Sequence, residues 1–189
     1  MTDTGSGGIT RRGLIGAFAA TVITAAPTYS NAAGFLRGGG DIRRIRMHSG
    51  RTGERIDMIY WIEGDYIKDA VREVHHFMRD WRTNDVKAID LRTIDIMAAA
   101  HNMMDTTEPY MLLSGYRSPK TNAMLRARGS GVAKRSLHLK GQAADLRLNS
   151  RSVNQMARAA AACKAGGVGR YSGSNFVHMD CGPVRSWGR

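Results

Sequence analysis

The chain has 189 residues, of which 42% are hydrophobic and 23% are charged. That length supports one domain with its own core, and that composition excludes a largely disordered chain or a bundle of membrane helices. The formal net charge of +12 indicates an anionic partner, which by charge alone is either a nucleic acid or another anionic polymer.

The first 32 residues have the order of segments found in export signals. Arg11 and Arg12 precede an apolar stretch at 14–26, and small residues follow at 30–32. This order predicts a signal peptide at 1–32, and the arginine pair indicates the twin-arginine route to the periplasm. The apolar stretch is too short to predict a membrane span, although an uncleaved membrane anchor is the alternative.

An exported basic protein meets anionic wall polymers rather than nucleic acid. The basic side chains are also scattered, without the basic and aromatic stripe that single-strand binders use. We therefore expect a cell-wall partner, no nucleic acid, and no stable membrane insertion after signal cleavage.

Residues 33–41 contain three consecutive glycines and predict a flexible leader, so the folded domain is expected at 42–189. Apolar residues alternate at 42–47 and 55–61 around a turn-rich segment, which predicts a β-hairpin. Helices are predicted at 66–81, 90–104, 120–128 and 150–164. Strands are predicted at 110–113, 143–148, 168–171 and 176–181. The mixture predicts an α+β fold: a single compact domain with a small antiparallel sheet and flanking helices.

Candidate metal ligands lie in the second half of the chain. His138 and Asp145 flank a glycine that permits a turn, and His178 lies in the last predicted strand. A catalytic zinc site commonly has three protein ligands and one open position, which these residues can supply. Asp180 shares a strand face with His178 and is the candidate general base. Arg117 is a candidate for binding a carboxylate through its guanidinium.

The residues alone leave alternatives open. A polar loop with hydrogen-bonded side chains has the same pattern, and histidine and aspartate also bind other divalent ions. The remaining histidines within the domain are predicted to be ordinary structural residues: His48, His75, His76 and His101. Cys163 and Cys181 either form a disulfide in the exported protein or remain buried free thiols.

Four motifs in order resemble those of the periplasmic zinc peptidases related to D-alanyl-D-alanine carboxypeptidases and dipeptidases, and among them the murein endopeptidases. They are SGYRS at 114–118, SLHLKGQAAD at 136–145, AGGVG at 165–169 and NFVHMDCGP at 175–183. The resemblance extends over about residues 42–187. It implies the zinc fold that these enzymes share with hedgehog and lysostaphin domains.

The resemblance also implies an activity: zinc-dependent hydrolysis of peptide cross-links in peptidoglycan, at D-Ala–diaminopimelate or diaminopimelate–diaminopimelate bonds. By position, His138, Asp145 and His178 match the metal ligands, and Arg117 matches an arginine that meets the substrate carboxylate.

One position departs from the wider group of D-alanyl-D-alanine peptidases. Many of them place a glutamate base three residues before the last histidine ligand, where this chain has Asn175. An asparagine side chain cannot take the proton, so Asp180 is the expected substitute. The alternative function is a peptidoglycan-binding module that holds zinc without hydrolysing its partner.

Overall fold

The computed structural model describes residues 40–129 and 131–188. The predicted signal peptide at 1–32 and nearly all of the predicted leader at 33–41 lie outside the described residues, so both stay predictions. Within the described part of the chain, no helix has the length and apolar character needed to cross a membrane.

The described residues form helices and strands in alternation. The α-helices are α1 (Lys68–Phe77), α2 (Leu91–Asn102), α3 (Pro119–Arg128) and α4 (Val153–Ala162), with a 3-10 turn at Leu137–Lys140. The strands are β1 (Ile42–His48), β2 (Arg55–Ile62), β3 (Asp65–Tyr66), β4 (Tyr110–Ser114), β5 (Ala143–Arg147), β6 (Gly167–Tyr171), β7 (Phe176–Asp180) and β8 (Arg185–Gly188). The predicted α+β class is therefore confirmed.

The prediction of a small antiparallel sheet is wrong, because the eight strands form one mixed sheet. Their order is β3-β2-β1-β4-β5-β7-β6-β8, and the pairs β1–β4 and β6–β8 are parallel. A parallel pair needs a connection that returns the chain to the same end of the sheet. The β1–β4 connection contains α1 and α2, the β6–β8 connection contains β7, and local alternation of residues specifies neither. β3 and β8 are short edge strands, which leave little periodic signal in the sequence.

The helices cover one face of the sheet, and we call the opposite face the open face. α1 packs on β2, α2 on β1 and β7, and α4 on β6 and β7. Leu146, Val177 and Met179 are fully buried in this core. Because successive strand residues point to opposite faces, Asp145 and His178 project from the other face. Residues that project from this other face of β1, β4, β5 and β7 can therefore form one surface.

Candidate metal centre

The turn that carries His138 depends on Gly141. Ser136 caps the start of the turn by accepting a hydrogen bond from the backbone N–H of His138. Gly141 ends it with φ of 68°, and a Cβ there would lie 2.4 Å from the carbonyl oxygen of Ala88. Glycine alone satisfies both conditions, and the chain then enters β5 with Asp145 on the open face.

Strand register brings the three predicted ligands together. β5 and β7 pair Asp145 with His178, and His178 Nδ1 lies 2.8 Å from Asp145 Oδ1. His138 Nε2 lies 3.2 Å from His178 Nδ1 and 3.3 Å from the same aspartate oxygen. One potential ligand atom from each residue falls within 4.8 Å of the others. All three side chains therefore face one point.

The residues fit a zinc ion, because the outward nitrogen of each ring already has a partner. His138 Nδ1 lies 2.7 Å from the carbonyl oxygen of Gly115, and His178 Nε2 lies 3.1 Å from Asp180 Oδ2. Each ring thus turns its other nitrogen toward the shared point, as histidine ligands with fixed outer partners do. Two imidazole nitrogens and one carboxylate oxygen are a common zinc donor set.

Opposite charges within the cluster shift the pKa values of its members. Burial lowers the pKa of His178, but hydrogen bonds and charge from Asp145 and Asp180 raise it more, to about 9. Burial raises the pKa of Asp145, and the two imidazoles reverse that effect and bring it well below its usual range. A cation bound at the shared point would compete with a proton for the imidazole nitrogen of His178.

Asp180 is buried and saturated with donors. Its side chain is 0% exposed. Oδ1 accepts from the backbone N–H groups of Gly167 and Gly182, both oxygens accept from Arg185, and Oδ2 also faces His178. These contacts occupy the roughly four acceptor positions of a carboxylate. Burial raises the pKa of Asp180, but the bonds from His178 and Arg185 lower it more, to about 2.

Arg117 lies at the edge of the cluster. Its backbone N–H donates to the carbonyl of His138 at 3.2 Å. Its Nη2 lies 3.3 Å from Ser114 Oγ and 3.5 Å from Asp145 Oδ2. Its Nε is buried and has no hydrogen-bond partner among the described residues. The guanidinium is therefore close enough to the cluster to meet an anionic group brought there, and the carboxylate-binding role of Arg117 stays a prediction.

β8 adds residues that the sequence analysis did not identify. Arg185 holds Asp180 at 2.7 Å. The indole of Trp187 lies 5.3 Å from the His178 ring, measured between centroids, and its Nε1 donates to the hydroxyl of Tyr171 at 3.0 Å. Arg185 and Trp187 alternate in the sequence and so share a strand face. In the four residues of β8, this alternation is the local sequence pattern that could have placed Arg185 and Trp187 on the face of the metal centre.

Asn175 lies in the turn before β7 and has φ of 51°. Its carbonyl accepts a hydrogen bond of 2.6 Å from Nε of Arg147. Asn175, three residues before His178, therefore has a structural role in the turn, because asparagine tolerates this left-handed conformation better than most residues.

The fold and the site together define a class: an α+β protein with a candidate three-ligand metal centre on the open face of its sheet. Within that class, the chain belongs to the peptidase family whose model is described as Peptidoglycan L,D-endopeptidase MepK, which matches residues 37–187. The family resemblance stated from the motifs is confirmed.

Curated relatives agree with the family match. The peptidoglycan L,D-endopeptidase MepK of Escherichia coli (strain K12) is 41% identical over 145 residues, which cover 77% of this chain and 80% of the relative. The probable peptidoglycan L,D-endopeptidase MepK of Haemophilus influenzae is 36% identical over 137 residues, which cover 72% of this chain and 74% of the relative.

Proposed function

We propose that the chain is a periplasmic zinc endopeptidase that hydrolyses peptide cross-links of peptidoglycan. The observation that carries the proposal is the convergence of His138, Asp145 and His178 within 4.8 Å in a member of this peptidase family. The relatives' names specify L,D-bonds, so we favour diaminopimelate–diaminopimelate over D-Ala–diaminopimelate linkages.

The proposed reaction assigns a task to each residue around the centre. Zinc at this site would polarise the scissile carbonyl and make water a better nucleophile at neutral pH. His138, Asp145 and His178 hold the ion, and Arg117 receives a substrate carboxylate through its guanidinium.

Asp180 has two candidate roles. The role predicted from the sequence is general base, which requires a lone pair directed at the attacking water. The saturation of both carboxylate oxygens favours a positioning role instead, in which Asp180 fixes the ring orientation of His178. We propose the positioning role.

The proposal includes export of the protein. Residues 1–32 act as a twin-arginine signal that is removed, residues 33–41 form a leader, and residues 42–189 are the peptidase domain. The assignment is supported by the arginine pair, the apolar stretch at 14–26 and the small residues at 30–32.

The test is digestion of purified cross-linked muropeptides, with products separated by chromatography and mass. We expect dimers to become monomers, the reaction to stop with a chelator, and zinc to restore it. Full conversion in the presence of the chelator would refute metal dependence, and intact dimers with zinc bound would refute the peptidase.

The second candidate is a wall-binding module that holds zinc without hydrolysis. Two observations favour it: Asn175 occupies the usual position of a glutamate base, and Asp180 is fully buried. A zinc-loaded chain that pellets with sacculi and releases no new muropeptides would establish the module.

A further inference from the structure

A second concave site lies on the sheet, at the β1–β2 hairpin. Its volume is about 570 Å³. We call it the basic subsite, and its lining residues are Arg46, Met47, Arg55, Ile56, Asp57, Thr107 and Pro109. Two guanidiniums and a hydroxyl group thus border this site.

The basic subsite has an excess of positive charge. Its one carboxylate, Asp57, accepts from Nε and Nη2 of Arg44, the latter at 2.8 Å. Arg46 reaches the same carboxylate only at 3.4 Å. Arg55 is exposed and has no ion pair among the described residues. Arg44, Arg46 and Arg55 therefore surround one carboxylate, which leaves the site with a net positive charge, and Arg55 has no ion pair among the described residues.

A row of paired residues connects the basic subsite to the metal centre. Arg55 pairs with His48, His48 with Met111, and Met111 with Arg147. Arg147 then binds the carbonyl of Asn175, in the turn that leads into β7. Within this row, Nδ1 of His48 is buried without a hydrogen-bond partner among the described residues.

Strand spacing gives the length of a ligand that spans both sites. Neighbouring strands lie about 4.8 Å apart, so the three steps from β7 to β1, which carries Arg46, cover about 14 Å across the sheet, and a fourth step to β2, which carries Arg55, brings this to about 19 Å. An extended peptide rises about 3.3 Å per residue, so about four to six residues bridge this distance. A peptide stem of the cell wall has this scale, whereas a single amino acid does not.

We propose that the basic subsite binds a carboxylate of a peptidoglycan stem peptide whose cross-link lies at the metal centre. The inference rests on the proposed function and extends it, because it assigns a separate binding determinant to the substrate. Guanidinium forks match a carboxylate bidentately, and two arginines with one free hydroxyl suit such a group.

The test compares two pairs of substitutions that remove the same charge. The first is Arg46→Gln with Arg55→Gln, and the matched control is Lys68→Gln with Arg158→Gln, two exposed cations on α1 and α4. Each pair is placed in the full chain with His138→Ala, so that no turnover interferes. Calorimetric titration then measures binding of an uncross-linked disaccharide tetrapeptide and of the same compound with its carboxylates amidated.

We expect the first pair to weaken binding roughly tenfold and the control pair to leave it unchanged. The amidated ligand should bind the parent chain at least as weakly as the first pair binds the natural ligand, because amidation also removes the carboxylate assigned to Arg117. Equal weakening by both pairs would show a general charge effect and overturn the proposal. Undiminished binding of the amidated ligand would also overturn it.

Kinetics separate this inference from the proposed function. In a chain with His138 intact, the Arg46→Gln and Arg55→Gln pair should raise KM for cross-linked dimers roughly tenfold and leave kcat unchanged. If the double variant hydrolyses dimers with an unaltered KM, the basic subsite is refuted and the proposed enzymatic function stands. If the parent chain binds the ligand through these arginines but hydrolyses no dimer, the enzymatic function is refuted and the basic subsite stands.

Discussion

His178 Nε2 lies 3.1 Å from Asp180 Oδ2, and the carboxylate that holds the ring is itself fully buried and bound by Arg185. The two residues are separated by one position in β7, so they share a face of the strand. The imidazole therefore cannot rotate without breaking a buried, charge-assisted hydrogen bond. This contact fixes which nitrogen of His178 faces the metal centre.

Asp180→Asn should weaken zinc binding about 10- to 100-fold, because the amide is a poorer acceptor for the outer nitrogen of His178. Competition with a fluorescent chelator measures the affinity. Asp57→Asn, in the exposed part of β2, is the control and should bind zinc normally. Unchanged affinity in Asp180→Asn together with lost hydrolysis would support the general-base role predicted from the sequence.

His138→Ala and His178→Ala should each abolish zinc binding and hydrolysis, because two remaining ligands hold zinc poorly. The measurement is metal content after dialysis, with about one ion per chain expected in the parent protein. His76→Ala is the matched control, since His76 is exposed on α1. Full zinc content in either of the two variants would exclude that histidine from the ligand set.

Arg117→Lys should lower kcat/KM on muropeptide dimers about 100-fold, because an ammonium cannot replace a bidentate guanidinium. Zinc content should remain that of the parent, since Arg117 contacts Asp145 only at 3.5 Å. Arg126→Lys, on the exposed side of α3, should have normal kinetics. Normal kinetics in Arg117→Lys would contradict the assignment of a substrate carboxylate to this residue.

Asp80 supports the segment that carries Arg117, and its contribution should depend on pH. Asp80 is buried and accepts from the backbone N–H groups of Ser118 and Arg82. Burial raises the pKa of Asp80, but hydrogen bonds from Thr121 and Ser118 lower it more, to below its usual range. The stabilisation is therefore present above the unfolded pKa of about 3.9 and is lost as pH falls through the lower folded value.

Asp80→Asn should accordingly lower the free energy of unfolding by about 1 to 3 kcal/mol at pH 7, and the difference should shrink below about pH 4. Urea unfolding of both proteins at pH 7 and pH 3 measures it. Asp69→Asn, exposed on α1, should differ little from the parent at either pH. A difference that grows toward acid would show that Asp80 is protonated in the folded state.

Cys163 and Cys181 should be unreactive free thiols. Both are buried and unpaired, and burial raises the pKa of Cys163 to about 11 and raises that of Cys181 as well. Because the thiolate is the reactive form, a thiol reagent should label neither residue in the native chain. After denaturation without reductant, both should react. If neither cysteine reacts with the reagent after denaturation, the two form a disulfide instead.

Much of the candidate site was predictable because its signals are local. A histidine, a turn glycine and an aspartate within eight residues define the His138 to Asp145 segment, and alternation in β7 places Asp180 beside His178. The α+β class followed from the change of apolar period along the chain. The family followed from the order of four motifs, which the family match confirms.

Local sequence patterns were enough to predict the candidate ligands His138, Asp145 and His178, the positions of the helices and most strands, and the basic character of the chain. Three features became visible only in the folded chain: the mixed eight-stranded sheet, the burial of Asp180 against Arg185, and the row that joins Arg55 to β7. These features depend on strand register and crossover, which bring residues far apart in the chain into contact. A local residue pattern reports which face a side chain occupies, but it does not report which distant strand lies next to it.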